Sequence, residues 1–331
     1  MTSPKLTVGQ KAAKSVHIVE RKLRSSPVFV TLIVFTFILY LAVLVLNCLA
    51  VAPHHSSGLF QHGTVNVARV LSFNFMPAWW TFYIGAVIYL LQLLWVTYSL
   101  VLTCLEVSQE PAYLNPVILS PAFYIFFNLS SVFNIGWLFL WDKLLHLASF
   151  MFLACIALSL ILTTAIVASR MVMFKDTLID QNRFKELKFL QITVVNSVAM
   201  YATWAVVCAL LNLGMILVYK WDRQLSEEVT AILCVSVLAF MSLVYVILDS
   251  TLIARYTRYC LTPYVVVIWT LAGSVAENYN PGNLSSIMST FFVGAISLAF
   301  CVKLGLTCFR STSRNGQYTL MKTALEDDCA N

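Results

Sequence analysis

Eight apolar stretches, each long enough to cross a lipid bilayer, run through this chain of 331 residues. A membrane-spanning helix needs about 20 mostly apolar residues, because the hydrocarbon core of a bilayer is about 30 Å thick. Every backbone amide in that core must find a partner within the protein, so such stretches fold as helices. We therefore predict an all-α, polytopic membrane bundle of about eight transmembrane helices, with spans at residues 28–51, 78–104, 117–141, 144–173, 190–219, 229–254, 260–276 and 285–309.

Little of the chain remains for a water-soluble domain, since only 11% of its residues are charged and its mean hydropathy is +0.83. We expect a transmembrane domain at residues 28–309, a basic cytosolic tail at residues 1–27 and a cytosolic C-terminal tail at residues 310–331. The net charge of +6 does not indicate nucleic-acid binding, because the basic residues lie in the N-terminal tail and in alternate loops. The nine cysteines are scattered singly and without C-x-x-C spacing, so we interpret them as packing residues.

The distribution of Lys and Arg predicts the orientation in the membrane. Sixteen of them lie in the tails and in the loops that a cytosolic N-terminus places inside, against four in the outward loops. Cytosolic segments of membrane proteins carry this excess of basic residues. Both termini are therefore predicted to be cytosolic.

Two short motifs bear on the location of the protein. The sequon Asn283-Leu284-Ser285 falls in the last outward loop and predicts a glycan on Asn283. In the C-terminal tail, Tyr318-Thr319-Leu320-Met321 has the form of an endocytic sorting signal. Both motifs also occur by chance, but together they favour the plasma membrane or endosomal membranes.

The longest outward connection, residues 52–77, mixes His54, His55 and His62 with apolar side chains such as Phe60. A connector of this length and composition either folds back as a lid or remains a mobile loop, and the sequence leaves both alternatives open.

Polar side chains within the spans predict which faces point into the bundle, because an amide in hydrocarbon needs a partner. Six of the amide side chains within the spans are expected to face other helices: Asn47, Gln92, Asn128, Asn134, Asn196 and Asn212. Trp79, Trp80 and Trp141 lie at outer ends of spans, where tryptophan forms an interfacial belt. Trp137 and Trp204 lie deeper, and with Asn134 and Asn212 they suit a pocket with flat apolar walls and a few orienting hydrogen bonds.

Asp249 and Lys303 are ionisable residues at similar depth in the inner halves of two spans. An unpaired charge there costs about 2.5 to 3.5 kcal/mol at the helix centre, so we expect an ion pair or snorkelling. An ion or proton route through this pair is the alternative interpretation.

The sequence contains no H-x-x-x-H pair, no G-x-S-x-G motif, no Gly-rich phosphate loop and no close carboxylate couple within a span. We therefore predict neither a catalytic site nor a metal site.

Four motifs occur in order on the second, third, fifth and seventh spans. They are Pro77-Ala78 followed by Thr81-Phe82-Tyr83-Ile84, then Phe133-Asn134-Ile135-Gly136-Trp137, then Tyr201 and Trp204 before Asn212, and finally Ile268-Trp269-Thr270-Leu271-Ala272-Gly273. Through these four motifs the chain resembles the tryptophan-rich sensory protein or translocator protein (TspO/MBR) family over residues 30–276. The resemblance is strongest to the longer members of the family, which have extra helices.

The resemblance implies a five-helix core followed by three further helices. It also implies a cavity, capped by the first loop, that binds flat hydrophobic ligands such as porphyrins, other tetrapyrroles or sterols. The pocket candidates that the resemblance supplies are Trp79, Tyr89, Asn134, Trp137, Trp204 and Asn212. Gly85 stands where those relatives usually have Trp, and Asn196 where a Pro often opens the fifth helix, so the shape of the pocket is expected to differ.

The leading hypothesis is a non-enzymatic membrane protein that binds a planar hydrophobic molecule as a sensor or carrier. A transporter or channel for ions or small solutes that uses Asp249 and Lys303 is the second hypothesis, and a seven-helix receptor is the third. The expected partners are membrane lipid, the hydrophobic ligand and a second copy of the chain in a homodimer.

Overall fold

The computed structural model describes residues 27–51, 58–107, 110–220 and 225–330, with residues 310–330 described by their backbone alone. Within these ranges, seven helical segments are long and apolar enough to cross a membrane. They are Pro27–Val51, Trp79–Cys104, Pro121–Asp142, His146–Asp180, Phe184–Tyr219, Glu227–Ser250 and Leu284–Phe309. The prediction of an all-α polytopic bundle is confirmed.

The individual helices are α1 (Pro27–Val51), α2 (Thr64–Val70), α3 (Ile84–Val101), α4 (Pro121–Asp142), α5 (His146–Asp180), α6 (Phe184–Phe189), α7 (Asn196–Tyr219), α8 (Glu227–Ser250), α9 (Thr262–Asn278) and α10 (Leu284–Ala330). Short 3-10 turns at Trp79–Tyr83 and Leu102–Cys104 flank α3. A π-helical turn at Leu190–Val195 joins α6 to α7. Between α3 and α4, β1 (Glu106–Val107) pairs antiparallel with β2 (Glu110–Pro111), followed by a 3-10 turn at Ala112–Leu114.

Local capping explains where two of the spans begin. Ser120 precedes α4, its Oγ accepts a hydrogen bond from the Phe123 amide at 3.4 Å, and Pro121 occupies the first turn. Ser226 caps α8 in the same way through the Val229 amide at 3.3 Å. A serine oxygen satisfies a free amide of the first turn, and proline there loses no hydrogen bond. The third span consequently begins at Pro121, four residues later than hydropathy alone predicts.

The seventh predicted span, 260–276, corresponds to α9, which has 17 residues and is shorter than the seven helices above. Pro263 lies in its first turn. The eighth span corresponds to α10, whose helical backbone continues from Leu284 through the predicted C-terminal tail to Ala330.

The chain forms two compact units. The first unit comprises Met1–Val70 and Gly85–Ala209, and the second unit comprises Leu71–Ile84 and Leu210–Asn331.

The core of the first unit includes Trp95, whose side chain is fully buried. Its ring meets the edges of Phe123 and Phe127 at centroid distances of 5.2 and 4.8 Å. On α4, Gly136 lies against the ring of Phe152 on α5, and a Cβ at position 136 would overlap that ring. The glycine therefore allows α4 and α5 to pack closely.

In the second unit, the segment before α3 is attached to α9. The Ala78 amide donates to the Gly273 carbonyl at 3.1 Å, and the Trp269 indole donates to the Thr81 carbonyl at 2.9 Å. A Cβ on Gly273 would overlap Thr81 Oγ1. Trp269 and Gly273 of the fourth motif thus hold the segment that starts the second span.

Candidate ligand site

A hydrogen-bonded group of three polar side chains lies among α1, α3 and α4 of the first unit. We call Asn47, Tyr89 and Asn134 the polar node. The Tyr89 hydroxyl donates to Asn47 Oδ1 at 2.9 Å, and Asn47 Nδ2 donates to Asn134 Oδ1 at 2.8 Å. Because buried polar groups without partners are costly among apolar helices, these bonds fix the mutual register of the three helices.

Tyrosine side chains extend the node. The Tyr40 hydroxyl donates to the backbone carbonyl of Tyr89 at 2.5 Å. The ring of Tyr89 lies edge-on to the ring of Tyr201, with 6.1 Å between centroids. Tyr201 belongs to α7, so a fourth helix borders the node within the first unit.

Trp137 lies one turn beyond Asn134 on α4, on the same side of the helix. Its indole Nε1 is buried and has no hydrogen-bond partner among the residues that the structure describes. The Trp137 ring lies 5.8 Å from that of Trp141, a further turn towards the end of α4. Helix α4 therefore presents an amide and two flat indole rings in succession, one of them with a buried donor available.

The loop after α1 folds back onto the ends of α1 and α4. We call residues 58–70 the docked loop. The side chain of Asp142, at the end of α4, accepts hydrogen bonds from the backbone amides of Gln61 and His62 at 2.9 and 2.7 Å. Phe60 is buried and stacks on Phe139 with 5.3 Å between ring centroids.

Two further hydrogen bonds hold the second half of the docked loop. Thr64 Oγ1 donates to the Ala50 carbonyl at 2.9 Å, and the Trp141 indole donates to the Thr64 carbonyl at 3.3 Å. Residues 58–70 thus have the anchored arrangement of a lid. Residues 52–57, which include His54 and His55, lie outside the described residues.

The structure brings some of the predicted pocket residues together and separates others between the units. Tyr89 and Asn134 meet through Asn47, and Trp137 follows on the same helix. Trp204 is buried on α7, within the first unit. Trp79 and Asn212 belong to the second unit.

Trp79 and Asn212 differ in their environments. The Trp79 side chain is 54% exposed and lies edge-on to Tyr83, an arrangement that suits the interfacial belt. Asn212 is buried, and neither polar atom of its side chain has a partner in the described part of the chain.

The prediction that these amides face inward agrees with the burial of four of the six positions. Gln92, Asn128, Asn134 and Asn212 are buried, and Asn47 and Asn196 are half-buried. The sequence did not identify Asn47 as the link between Tyr89 and Asn134, or Asp142 as the anchor of the docked loop. The polarity of Asn47 in the first span was the available signal.

The two departures from the family motifs have distinct local structures. A Cβ on Gly85 would enter open space, so the position has room for a larger side chain. At Asn196 the π-helical turn ends, and Asn196 Nδ2 donates to the Gln191 carbonyl at 2.7 Å, five residues earlier. A π-helical turn thus ends at the position where the resemblance led us to expect proline.

In the second unit, three donors converge on the carboxylate of Asp249. Lys303 Nζ lies 2.6 Å from Oδ1, Thr257 Oγ1 donates to Oδ1 at 2.5 Å, and the Tyr264 hydroxyl donates to Oδ2 at 2.6 Å. The side chains of Asp249 and Lys303 are 1% and 13% exposed. Both residues named as a candidate ion pair are therefore in contact.

Within residues 27–51, 58–107, 110–220 and 225–330, no group of three or more His, Cys, Asp or Glu is placed to hold a metal ion.

The seven apolar helices of spanning length in the described residues define the class as a multi-pass α-helical membrane protein. The family model described as TSPO-like protein matches residues 33–304. The chain belongs to the TSPO-like protein family, and the resemblance seen in the motifs is confirmed. No curated protein and no solved structure matches the chain.

Proposed function

We propose that this TSPO-like membrane protein binds a planar hydrophobic molecule, of the tetrapyrrole or sterol type, at the polar node and acts as a sensor or carrier rather than as an enzyme. Support comes from the first unit, where Asn134 and Trp137 follow each other on α4 below an anchored loop. Ligand sites are mostly apolar and aromatic, with a few polar groups that fix orientation. The node and the two indoles of α4 have this composition.

The observation that carries the proposal is the free indole N–H of Trp137. A buried donor without a partner costs about 1 to 3 kcal/mol, and a ligand oxygen that accepts from it recovers this free energy. Porphyrin carboxylates and sterol hydroxyls both provide such an oxygen. The indole faces would contact the flat apolar part of the same ligand.

Titration with protoporphyrin IX tests the proposal, with the absorbance of the porphyrin as the readout so that loss of a tryptophan leaves the signal intact. We expect saturable binding by the wild type and about fivefold to tenfold weaker binding by Trp137→Phe, which keeps a ring and removes the N–H donor. Trp80→Phe, in the second unit, is the matched control and should bind like the wild type. Absence of saturable binding of both protoporphyrin IX and cholesterol would contradict the proposal.

The second candidate function is transport of ions or small solutes through the second unit. It is favoured by the Asp249 carboxylate, which is buried within a span together with Lys303. Ionisable residues inside membrane proteins frequently mark substrate or proton pathways. The flux of ions or small solutes into proteoliposomes measures this function. Loss of the flux in both Asp249→Asn and Lys303→Met would support it. Unchanged flux in these variants would exclude the pair as a route.

We place the protein in the plasma membrane or in endosomal membranes, with both termini in the cytosol. We further propose that Asn283 carries a glycan and that two copies of the chain form a homodimer. The basic tails and the C-terminal sorting motif support the location and the orientation. The sequon supports an outward position for the connection between α9 and α10.

A further inference from the structure

Arg258 lies in the connection between α8 and α9, and part of its guanidinium group is buried without a partner. Both Nε and Nη2 are shielded from solvent, and neither has a hydrogen-bond acceptor among the residues whose side chains the structure describes. These two nitrogens form one edge of the guanidinium plane. Their N–H groups point in the same direction, which is the geometry that binds two oxygens of one oxyanion.

The nearest acid along the chain is already engaged. Asp249 accepts from Lys303 and Thr257 at one oxygen and from Tyr264 at the other. The other acidic side chains described in the second unit are Glu227 and Glu228, at the start of α8, and Glu277, at the end of α9. Helix α8 has 24 residues and is therefore about 35 Å long, so its first turn lies far from the connection at its other end.

The surroundings of Arg258 are basic and aromatic. Arg255 lies over the ring of Tyr256 with 4.4 Å to the centroid, and the Arg258 guanidinium lies 5.4 Å from the centroid of Tyr259. The backbone of Arg258 is fixed to α10, because Thr307 Oγ1 donates to the Arg258 carbonyl at 3.2 Å. The free edge of the guanidinium is thus held in place on a structured connection.

We propose that Arg258 binds the phosphate of an anionic phospholipid in the leaflet on this side of the membrane. The connection joins a spanning helix to α9, so it lies at the depth of lipid headgroups, and the positive-inside distribution places it on the cytosolic side, where anionic lipids are concentrated. A phosphate supplies the two acceptor oxygens that Nε and Nη2 lack. The net positive charge of Arg255, Arg258 and Lys303 against the single Asp249 favours an anionic over a zwitterionic headgroup. This site is independent of the ligand site at the polar node.

Native mass spectrometry of the purified full chain tests the site by titration with dioleoylphosphatidylserine and, separately, dioleoylphosphatidylcholine. We expect preferential retention of phosphatidylserine by the wild type. The apparent affinity for phosphatidylserine should fall about tenfold in Arg258→Gln, and by less in Arg258→Lys, which keeps the charge but loses the bidentate edge. Arg69→Gln removes an exposed charge from the first unit and should retain wild-type binding.

Competition with inorganic phosphate shows whether Arg258 binds the phosphate of a lipid headgroup or free phosphate. Displacement of phosphatidylserine only at phosphate concentrations far above that of the lipid supports the lipid site. Equal affinity for inorganic phosphate and phosphatidylserine, equal losses in Arg258→Gln and Arg69→Gln, or no preference for phosphatidylserine would overturn the proposal. Thermal unfolding of each variant, followed by tryptophan fluorescence, shows whether Arg258→Gln is folded. If Arg258→Gln is not folded, Arg258→Lys is compared with the wild type instead.

Discussion

At the scale of single residues, the amide of Asn47 connects two other helices through one side chain. It accepts from Tyr89 and donates to Asn134, and its Nδ2 also donates to the Val43 carbonyl within its own helix. Removal of Asn47 leaves the Tyr89 hydroxyl and Asn134 Oδ1 without these bonds in a largely apolar setting. The loss of stability is therefore larger than the loss caused by removal of one exposed amide.

We predict that Asn47→Ala lowers the free energy of unfolding by about 1 to 3 kcal/mol, the cost of leaving buried polar groups unsatisfied. Thermal unfolding in detergent measures this loss. Asn47→Ala combined with Tyr89→Phe should cost less than the sum of the two single changes, because both remove the same hydrogen bond. Asn66→Ala, at an exposed position, is the control, and an Asn47→Ala protein as stable as Asn66→Ala would show that the node contributes nothing.

The inward direction of the buried amides follows from the sequence, because hydrocarbon offers them no partner. Their partners do not follow from it. Whether Asn47 meets Tyr89 and Asn134 depends on the axial register of α1, α3 and α4, and register depends on packing contacts such as those of Trp95 on α3 with Phe123 and Phe127 on α4. Hydropathy carries no information on this register.

At the scale of elements, the docked loop is held at its first half by Asp142. Two backbone amides of the loop donate to one carboxylate oxygen, and hydrogen bonds to a charged acceptor are stronger than neutral ones. The stacking of Phe60 on Phe139 adds apolar contact. Loss of the carboxylate should open the loop locally while α4 stays intact.

We predict that Asp142→Ala increases tryptic cleavage after Arg69 by about tenfold, which corresponds to about 1.4 kcal/mol of local stability, close to the lower end of what one hydrogen bond to a charged group contributes. Limited proteolysis followed by mass spectrometry measures the rate. Lys143→Gln changes the exposed neighbour and should leave cleavage after Arg69 unchanged. Equal cleavage rates in the wild type and Asp142→Ala would mean that the carboxylate does not hold the loop.

A second prediction at this scale concerns Gly273. Gly273→Ala places a methyl group against Thr81 Oγ1, so we expect a loss of about 1 to 3 kcal/mol in unfolding free energy. Thr81→Ala should restore much of this stability in the double variant. Gly294→Ala on α10 enters open space and serves as the control. If Gly273→Ala unfolds at the same temperature as Gly294→Ala, the close approach of the segment 77–81 to α9 is not required for stability.

The motif on the seventh span showed from sequence that Trp269 and Gly273 belong to a recognisable pattern. It did not show which structural role these two residues have. The reason is a contact between segments almost 190 positions apart, where the indole donates to the Thr81 carbonyl. The positions of the spans were predictable because twenty apolar residues leave few alternatives, whereas the late start at Pro121 came from a cap that hydropathy does not register.

At the scale of the whole molecule, the connection between α9 and α10, which we predict to face outward, is tied to α8. Glu228 accepts from the Ser285 amide at 2.7 Å and from the Ser285 hydroxyl at 2.6 Å, and Asn74 Nδ2 donates to the same carboxylate at 3.1 Å. Ser285 is buried and is the third residue of the sequon. In the folded protein its hydroxyl is therefore engaged.

We predict that a glycan on Asn283 is added before this connection folds. Protein from eukaryotic cells should shift on gels after endoglycosidase treatment, and Asn283→Gln should abolish the shift. Glu228→Gln weakens the contact with Ser285 and should leave glycan occupancy equal or higher. A wild-type protein without any shift would contradict the outward placement of Asn283 or its use as an acceptor.

The central claim is that a planar hydrophobic ligand binds at the polar node beneath the docked loop. Hydrogen–deuterium exchange of the full chain, with and without saturating protoporphyrin IX, tests it most directly because it locates the effect along the chain. We predict slower exchange of the backbone amides in residues 58–70 when the porphyrin is present. Unchanged exchange there, with slower exchange confined to the second unit, would contradict the claim.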